Sequence, residues 1–134
     1  MIIIMEHEKT FEQFNKGKLC LASDTRSFSN IPWSKHPVFD GVELKHIVTS
    51  ADTGNRFSYH LVKIAPNKKI GLHIHKTQLE THEVIEGKGV CLNDSREIPY
   101  EPGVLTILEA GSEHEVTAGE SGLYLFAKFI PPLC

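Results

Sequence analysis

The sequence predicts an all-β domain built as a sandwich or barrel of short strands. From Val42 onward, short apolar runs recur about every ten residues, and each run ends at a turn signal such as Asp52-Thr53-Gly54 or Pro66-Asn67. No segment after residue 41 has the length and the 3.6-residue period of a long helix. These observations together favour many antiparallel strands joined by tight turns.

The chain begins with a segment of different character, which we assign to residues 1–40. Residues 8–18 predict a short helix, because Phe11 and Phe14 lie three positions apart and Gly17 is a suitable stop. Residues 20–37 are polar and carry the only tryptophan, which is typical of an arm or loop that lies against another surface. We therefore expect an N-terminal arm over 1–40 and a β-barrel over 41–134.

The predicted strands follow one another with turn residues between them. In order they are Val42–Thr49, Phe57–Ala65, Ile70–His75, Glu80–Ile85, Val90–Leu92, Val104–Leu108, a short strand at Val116, and Leu123–Ile130. The glycine-rich segments 87–89 and 119–122 are interpreted as turns that separate neighbouring strands.

Composition excludes several functional classes. A chain of 134 residues is expected to form one domain, and its net charge of −3 without a dense Lys/Arg run argues against a nucleic-acid partner. The apolar run Met1–Met5 ends at Glu6, which is too short for a secretion signal or a membrane span, so we expect a cytoplasmic protein. Three scattered cysteines predict reduced thiols and neither a disulfide framework nor a thiolate metal site.

Residues with metal-ligand chemistry concentrate between positions 71 and 87. Because strand residues i and i+2 share a face, His73 and His75 point one way together, and so do Glu80 and His82. A regular hairpin with a four-residue loop would place His75 opposite Glu80 and His73 opposite His82. Burying such a polar group without a partner is costly, and a divalent metal ion would compensate that cost.

The same segment resembles the first conserved motif of the cupin family. That motif is a His-x-His pair, three or four residues, a Glu, six residues and a Gly, which here are His73, His75, Glu80 and Gly87. The leading glycine of the motif falls at Asn67, and asparagine is a tolerated substitute in a turn that needs a positive φ.

A second stretch resembles the second cupin motif. It runs from Gly103 through Gly111 to His114, with Glu109 in place of the motif's proline and Ala118 in place of its final asparagine. Neither departure falls on a ligand position of the family pattern. The resemblance implies a double-stranded β-helix, or jelly-roll, barrel.

The resemblance also implies one divalent transition-metal ion held by His73, His75, Glu80 and His114. Ligands of this type suit Fe, Mn, Ni, Co, Cu or Zn, and a six-coordinate ion would keep about two positions open. His82 is a candidate acid/base or extra ligand; the alternative is a core histidine hydrogen-bonded within the sheet.

The remaining histidines show no paired spacing and are interpreted as structural or surface groups: His7, His36, His46 and His60. Among them His60 is the best candidate to line the cavity. It shares strand parity with Val62 and Ile64, but parity alone does not assign which face of that strand is buried.

Two functional hypotheses follow from the resemblance. The first is a metal-dependent enzyme that acts on a small oxygenated metabolite by dioxygenase-, isomerase- or lyase-type chemistry. The second is a non-catalytic cupin module that binds or senses a small ligand. We expect no nucleic-acid or membrane partner. We expect a homodimer, because Ile2–Ile4, Trp33 and the apolar C-terminal segment exceed what one small barrel needs to bury; the alternative is an arm folded over its own barrel.

Overall fold

The computed structural model describes residues 9–134 and confirms the predicted all-β jelly-roll class. Its strands, in chain order, are β1 (Lys18–Cys20), β2 (Thr25–Ser27), β3 (Ser34–Lys35), β4 (Val42–Val48), β5 (Ser58–Ile64), β6 (Lys69–Ile74), β7 (Leu79–Asn93), β8 (Arg96–Tyr100), β9 (Leu105–Leu108) and β10 (Glu113–Ile130). Two short helices are α1 (Thr10–Asn15) and α2 (Ser50–Thr53). Within residues 9–134 no helix has the length and hydropathy needed to cross a bilayer.

Two long strands, β7 and β10, run through both sheets of the barrel. The C-terminal part of β10 pairs with β5 and with the first part of β7, whose other neighbour is β9. The N-terminal part of β10 pairs with β6 and with the last part of β7, whose other neighbour is β8. The β7–β10 register shifts between Ala118 and Leu123, where both strands pass from one sheet to the other.

The core lies between the two sheets and is apolar. The larger set of buried residues is Val42, Val62, Ile64, Val84, Cys91, Tyr100, Leu108, Val116, Ala118, Leu123, Leu125, Ala127 and Phe129. Since strand side chains alternate between faces, the same strands also present a second apolar face outward. That outer face includes Leu61, Tyr124 and Phe126 and is covered by the N-terminal segment.

The described part of the N-terminal arm, residues 9–35, folds back over its own barrel. The ring centroid of Phe11 in α1 lies 4.7 Å from that of Tyr124, and the ring centroid of Phe14 lies 5.3 Å from that of Phe126. For residues 9–35 the structure therefore favours the alternative to an arm that crosses to a partner. The Ile2–Ile4 run and His7 lie outside the described residues, and the homodimer stays a prediction.

Three details of the predicted element order are wrong. Segments 87–89 and 119–122 do not separate strands: they lie inside β7 and β10, where glycine lets a continuous strand bend between sheets. The strand β8 was not predicted, since its sequence Arg-Glu-Ile-Pro-Tyr lacks a clear apolar alternation. The predicted helix over 8–18 is shorter, at Thr10–Asn15.

The bend at Gly87 generates a testable prediction. Gly87 has φ +84°, and a Cβ there would lie 2.2 Å from the carbonyl oxygen of Gly122. Gly103 has φ +95°, but a Cβ there would meet no atom within 4 Å, so it is a matched control for the backbone conformation alone. We expect Gly103→Ala to lower the free energy of unfolding by about 1 kcal/mol and Gly87→Ala by about 3 kcal/mol or more. Urea denaturation measures both, and equal losses would contradict a steric role for Gly87.

Candidate metal centre

The fold brings together the four residues that the two sequence motifs single out. His73 lies near the end of β6, His75 follows that strand, Glu80 lies near the start of β7 and His114 near the start of β10. One ligand atom from each of them lies within 4.8 Å of every other. Three separate strands therefore converge on one point of the barrel interior.

The geometry that produces this cluster differs from the predicted hairpin. The strand β6 pairs with β10, so His73 lies opposite His114 and not opposite His82. The strand β7 begins in the other sheet, where Glu80 is opposite Phe129 and His82 is opposite Ala127. The predicted hairpin is wrong because the loop over 75–78 crosses the barrel from one sheet to the other.

Backbone carbonyls and amides fix the two histidines of the His-x-His pair. The Nδ1 of His73 donates to the carbonyl oxygen of Gly71 at 2.7 Å, which leaves the lone pair on its Nε2. The amide of Gly111 donates to the carbonyl oxygen of His75 at 2.9 Å and holds that residue beside the second motif. Burial lowers the pKa of His73, so its imidazole is neutral at physiological pH and suited to bind a metal ion.

Glu80 supplies the only negative charge of the cluster. Its side chain is 7% exposed. Burial disfavours its ionised form, but the nearby His82 and His114 outweigh that effect and the pKa of Glu80 is lowered. The carboxylate is therefore ionised inside the barrel.

One face of the cluster consists of buried polar atoms without hydrogen-bond partners. Glu80 Oε1 lies 3.3 Å from His114 Nε2 and 3.5 Å from His75 Nε2. Nevertheless Glu80 Oε1 and both ring nitrogens of His114 make no hydrogen bond, because the approach of His114 is poorly aligned. Buried polar atoms are normally satisfied, so Glu80 Oε1 together with one ring nitrogen of His114 fits a bound cation that accepts their lone pairs. Three imidazoles and one carboxylate are suitable ligands for a divalent transition metal.

His82 lies behind the carboxylate, on the side away from this unpaired face. Its Nε2 is 2.5 Å from Glu80 Oε2, and its Nδ1 is 2.9 Å from the hydroxyl oxygen of Tyr100. Burial raises the pKa of Tyr100, so the hydroxyl stays protonated and can donate to His82. Both ring nitrogens of His82 are thus engaged, and neither is free to bind an ion.

A second group of polar residues lies near this centre and was not predicted as a site. His46 and His60 face each other across β4 and β5, and their Nδ1 atoms are 2.7 Å apart. His60 is buried and lies on the same face of β5 as the core residues Val62 and Ile64, a face that the sequence alone did not assign. Sequence spacing gives no signal for this pair, because only the register of two strands brings the residues together.

Comparison with known proteins identifies the family of this chain. The family model of the cupin domain matches residues 60–126, which is half of the chain. The chain belongs to the cupin family.

Curated relatives in this family differ in function. An oxalate-binding protein from Thermotoga maritima is 24% identical over 91 residues, which cover 66% of this chain and 75% of that protein. An L-ectoine synthase from Vibrio cholerae is 31% identical over 78 residues, which cover 58% of this chain and 56% of the synthase. The cupin chain thus matches little more than half the length of the synthase.

Solved structures agree on the cupin fold. A predicted oxalate decarboxylase from Thermotoga maritima superposes with a TM-score of 0.71 at 23% identity, covering 77% of this chain and 95% of that one. KdgF from a Halomonas species gives a TM-score of 0.66 at 17% identity, covering 75% and 86%. At these identities the likeness shows the fold alone.

The Glu80–His82 pair of this cupin yields a prediction for the metal-free protein. Replacing His82 by Leu leaves an ionised buried carboxylate without its partner, so we expect a loss of about 3 kcal/mol in the free energy of unfolding. Adding Glu80→Gln to that variant removes the stranded charge and should restore part of the loss. Urea denaturation of both single variants and the double variant, all in chelator, measures the coupling. Strictly additive effects would contradict the proposed pairing.

Proposed function

We propose that this cupin holds one divalent transition-metal ion through His73, His75, Glu80 and His114 and acts there on a small oxygenated molecule. The observation that supports the proposal is the set of buried, unpaired lone pairs on Glu80 Oε1 and His114. An unpaired buried acceptor costs about 1–3 kcal/mol, and more when it is charged. Such a cost in a well-packed barrel is typical of a ligand site.

The four residues of this centre differ in charge and in burial. Three neutral imidazoles and one carboxylate leave the bound ion a net positive charge, and the ion supplies Lewis acidity toward an oxygen atom of the ligand. His73 and His75 are half-buried, whereas Glu80 and His114 are buried. The ligand therefore approaches from the side of the His-x-His pair, and the ring of Phe129, 5.3 Å from that of His75, limits the space beside it.

We assign His82 the role of a positioning residue. A hydrogen bond from Tyr100 to Nδ1 leaves a proton on Nε2 of His82, from which His82 holds Glu80 Oε2 and turns Oε1 toward the ion. Because both ring nitrogens are engaged, His82 acts through Glu80 and not on the ligand directly. This assignment replaces the acid/base or fifth-ligand role that the sequence suggested.

Metal content tests the centre. Protein purified without a chelator or an affinity tag should carry one transition-metal ion per chain at this centre, and His114→Gln should contain about one ion per chain less than the unaltered protein, because the variant loses a buried ligand. The matched control is His36→Gln, which makes the same substitution at a histidine outside both polar groups and should keep the metal. Elemental analysis measures all three proteins. Full metal content in His114→Gln would overturn the ligand assignment.

The ligand class is tested on the metal-loaded protein with small carboxylic and hydroxy acids. Oxalate is the first probe, because one relative is named an oxalate-binding protein. Consumption of a compound indicates an enzyme, and a rise in melting temperature without consumption indicates the alternative, a binding or sensing module. Either response should be absent in His114→Gln. If no compound is consumed or stabilises the protein, the proposed ligand class is wrong.

The positioning role of His82 predicts an effect of a distant hydroxyl. Tyr100→Phe removes the hydrogen bond to His82 Nδ1 and should weaken metal affinity about tenfold, which is typical of partners that orient a ligand. Tyr59→Phe is the matched control, because Tyr59 packs on the outer face of the barrel beside Phe57. Competition with a chromophoric chelator measures both affinities. An unchanged metal affinity in Tyr100→Phe would contradict the proposed chain of hydrogen bonds from Tyr100 through His82 to Glu80.

A further inference from the structure

A second cluster of metal-ligand side chains lies apart from the first and involves the C-terminal segment. His46 in β4, His60 in β5 and Cys134 each offer a ligand atom, and these atoms lie within 4.8 Å of one another. The proposed function uses none of them. They come from sequence positions far apart, so the fold alone brings them together.

Strand register sets the two histidines of this cluster. The pairing of β4 with β5 places His46 opposite His60, and the register then shifts between His46 and Val48. Such a bulge re-aims neighbouring side chains and often occurs next to a site. The two rings meet edge to face, with their Nδ1 atoms 2.7 Å apart.

Three hydrogen bonds hold the segment that carries the third residue, Cys134. The amide of Leu133 donates to Ser58 Oγ at 2.8 Å, and the carbonyl oxygen of Cys134 accepts from the amide of Ser50 at 2.8 Å. Immediately before Leu133, the carbonyl oxygen of Pro132 accepts a hydrogen bond from Gln78 Nε2 at 2.8 Å. The segment is therefore anchored across β5, α2 and the loop over 75–78, and it holds the thiol beside the histidine pair.

The groups around His60 leave its Nδ1 lone pair available for a metal ion. Its Nε2 lies 2.7 Å from Ser58 Oγ, and a proton on Nε2 leaves the lone pair on Nδ1, the atom that faces His46. Burial, together with the neighbouring His46, lowers the pKa of His60 to about 4, so the ring is neutral at physiological pH. A neutral imidazole whose second nitrogen is held by a hydroxyl is a common arrangement among metal ligands.

We propose that His46, His60 and Cys134 form a second metal site, which binds Zn²⁺ or another ion that accepts imidazole and thiolate together. Two imidazoles and one thiolate provide three ligands of a tetrahedral ion and leave the fourth position open. Cys134 is exposed and His46 half-buried, so an ion can enter from solvent. On binding, the thiol loses its proton to water and the sulfur bonds to the ion.

Metal binding at this site requires one small movement. Two nitrogens bound to a tetrahedral zinc ion at about 2.0–2.1 Å lie about 3.3 Å apart, which is wider than the 2.7 Å between the two Nδ1 atoms. The half-buried ring of His46 would withdraw by that difference, while His60 is held by Ser58. Without an ion, the two nitrogens share a single proton in a hydrogen bond. The site therefore has two states, a hydrogen-bonded pair and a metal-bound pair.

Phe129 separates the two sites. Its ring centroid lies 5.5 Å from that of His60 and 5.3 Å from that of His75. The second site is thus independent in its ligands but adjacent in space. Its test can be run in a variant whose first site is disabled.

Cobalt(II) is the first probe, because a thiolate ligand gives a sulfur-to-cobalt charge-transfer absorption and the first site contains no sulfur. We expect this absorption in the full chain and in His114→Gln, and we expect Cys134→Ser to abolish it. The matched control Cys20→Ser alters another exposed cysteine and should keep the absorption. If the full chain shows no such absorption, or if Cys134→Ser retains it, the proposal is wrong. His114→Gln disables the first site only. If it keeps the charge-transfer absorption, the second site binds metal independently, and failure of one proposal can be told from failure of the other.

A second measurement does not depend on removing the thiol. In the Cys20→Ser background, Zn²⁺ should slow the reaction of Cys134 with a thiol reagent by at least about tenfold, because the bound thiolate is no longer free to attack. Adding His46→Gln should abolish that protection, whereas adding His36→Gln should preserve it. Equal reaction rates with and without Zn²⁺ would show that the histidines form a hydrogen-bonded pair only, which overturns the proposal.

Discussion

The buried carboxylate of Glu80 is the interaction on which the arrangement of the barrel interior depends. An ionised carboxylate inside a barrel is unstable unless each oxygen has a partner. One oxygen is held by His82, which is itself held by Tyr100. The other oxygen faces His75 and His114 without a hydrogen bond. The carboxylate is therefore hydrogen-bonded on the side of His82, and its opposite side is available to a cation.

The two long strands make that asymmetry possible. The strand β7 carries Glu80 and His82 in one sheet and Cys91 in the other, while β10 carries His114 in one sheet and Phe129 in the other. Each strand changes sheet at glycine, where Gly87 lies so close to Gly122 that a side chain on Gly87 would collide with the carbonyl oxygen of Gly122. The two strands remain paired on both sides of the bend, with a shift of register between Ala118 and Leu123. The position of His114 relative to Glu80 is therefore set by backbone pairing and not by a flexible loop.

Much of this centre could be predicted from the sequence, because motif spacing reports which residues share a site. The four candidate ligands were identified from two motifs, and the turn at Asn67 does adopt a positive φ of 61°. The partner strand of the His-x-His pair could not be predicted. A period of two residues tells which side chains share a face but not which strand lies beside them, so the assumed hairpin placed His73 opposite His82 instead of His114.

The histidine pair beside Phe129 shows a different limit of sequence reasoning. Cross-strand register brings His46 next to His60, and the anchored C-terminal segment brings Cys134 next to both. No spacing rule in the sequence connects the three residues. Their location nevertheless follows from the same register that orders the barrel. His46, His60, Ala127, His82 and Thr106 form one continuous row across five strands. The rows beyond it, through Val62 and Ile64, are apolar and form the core. A buried imidazole needs a hydrogen-bond partner. The sheet can therefore hold this row of histidines only where hydroxyl groups, a carboxylate and access to solvent are available, which is at one end of the barrel.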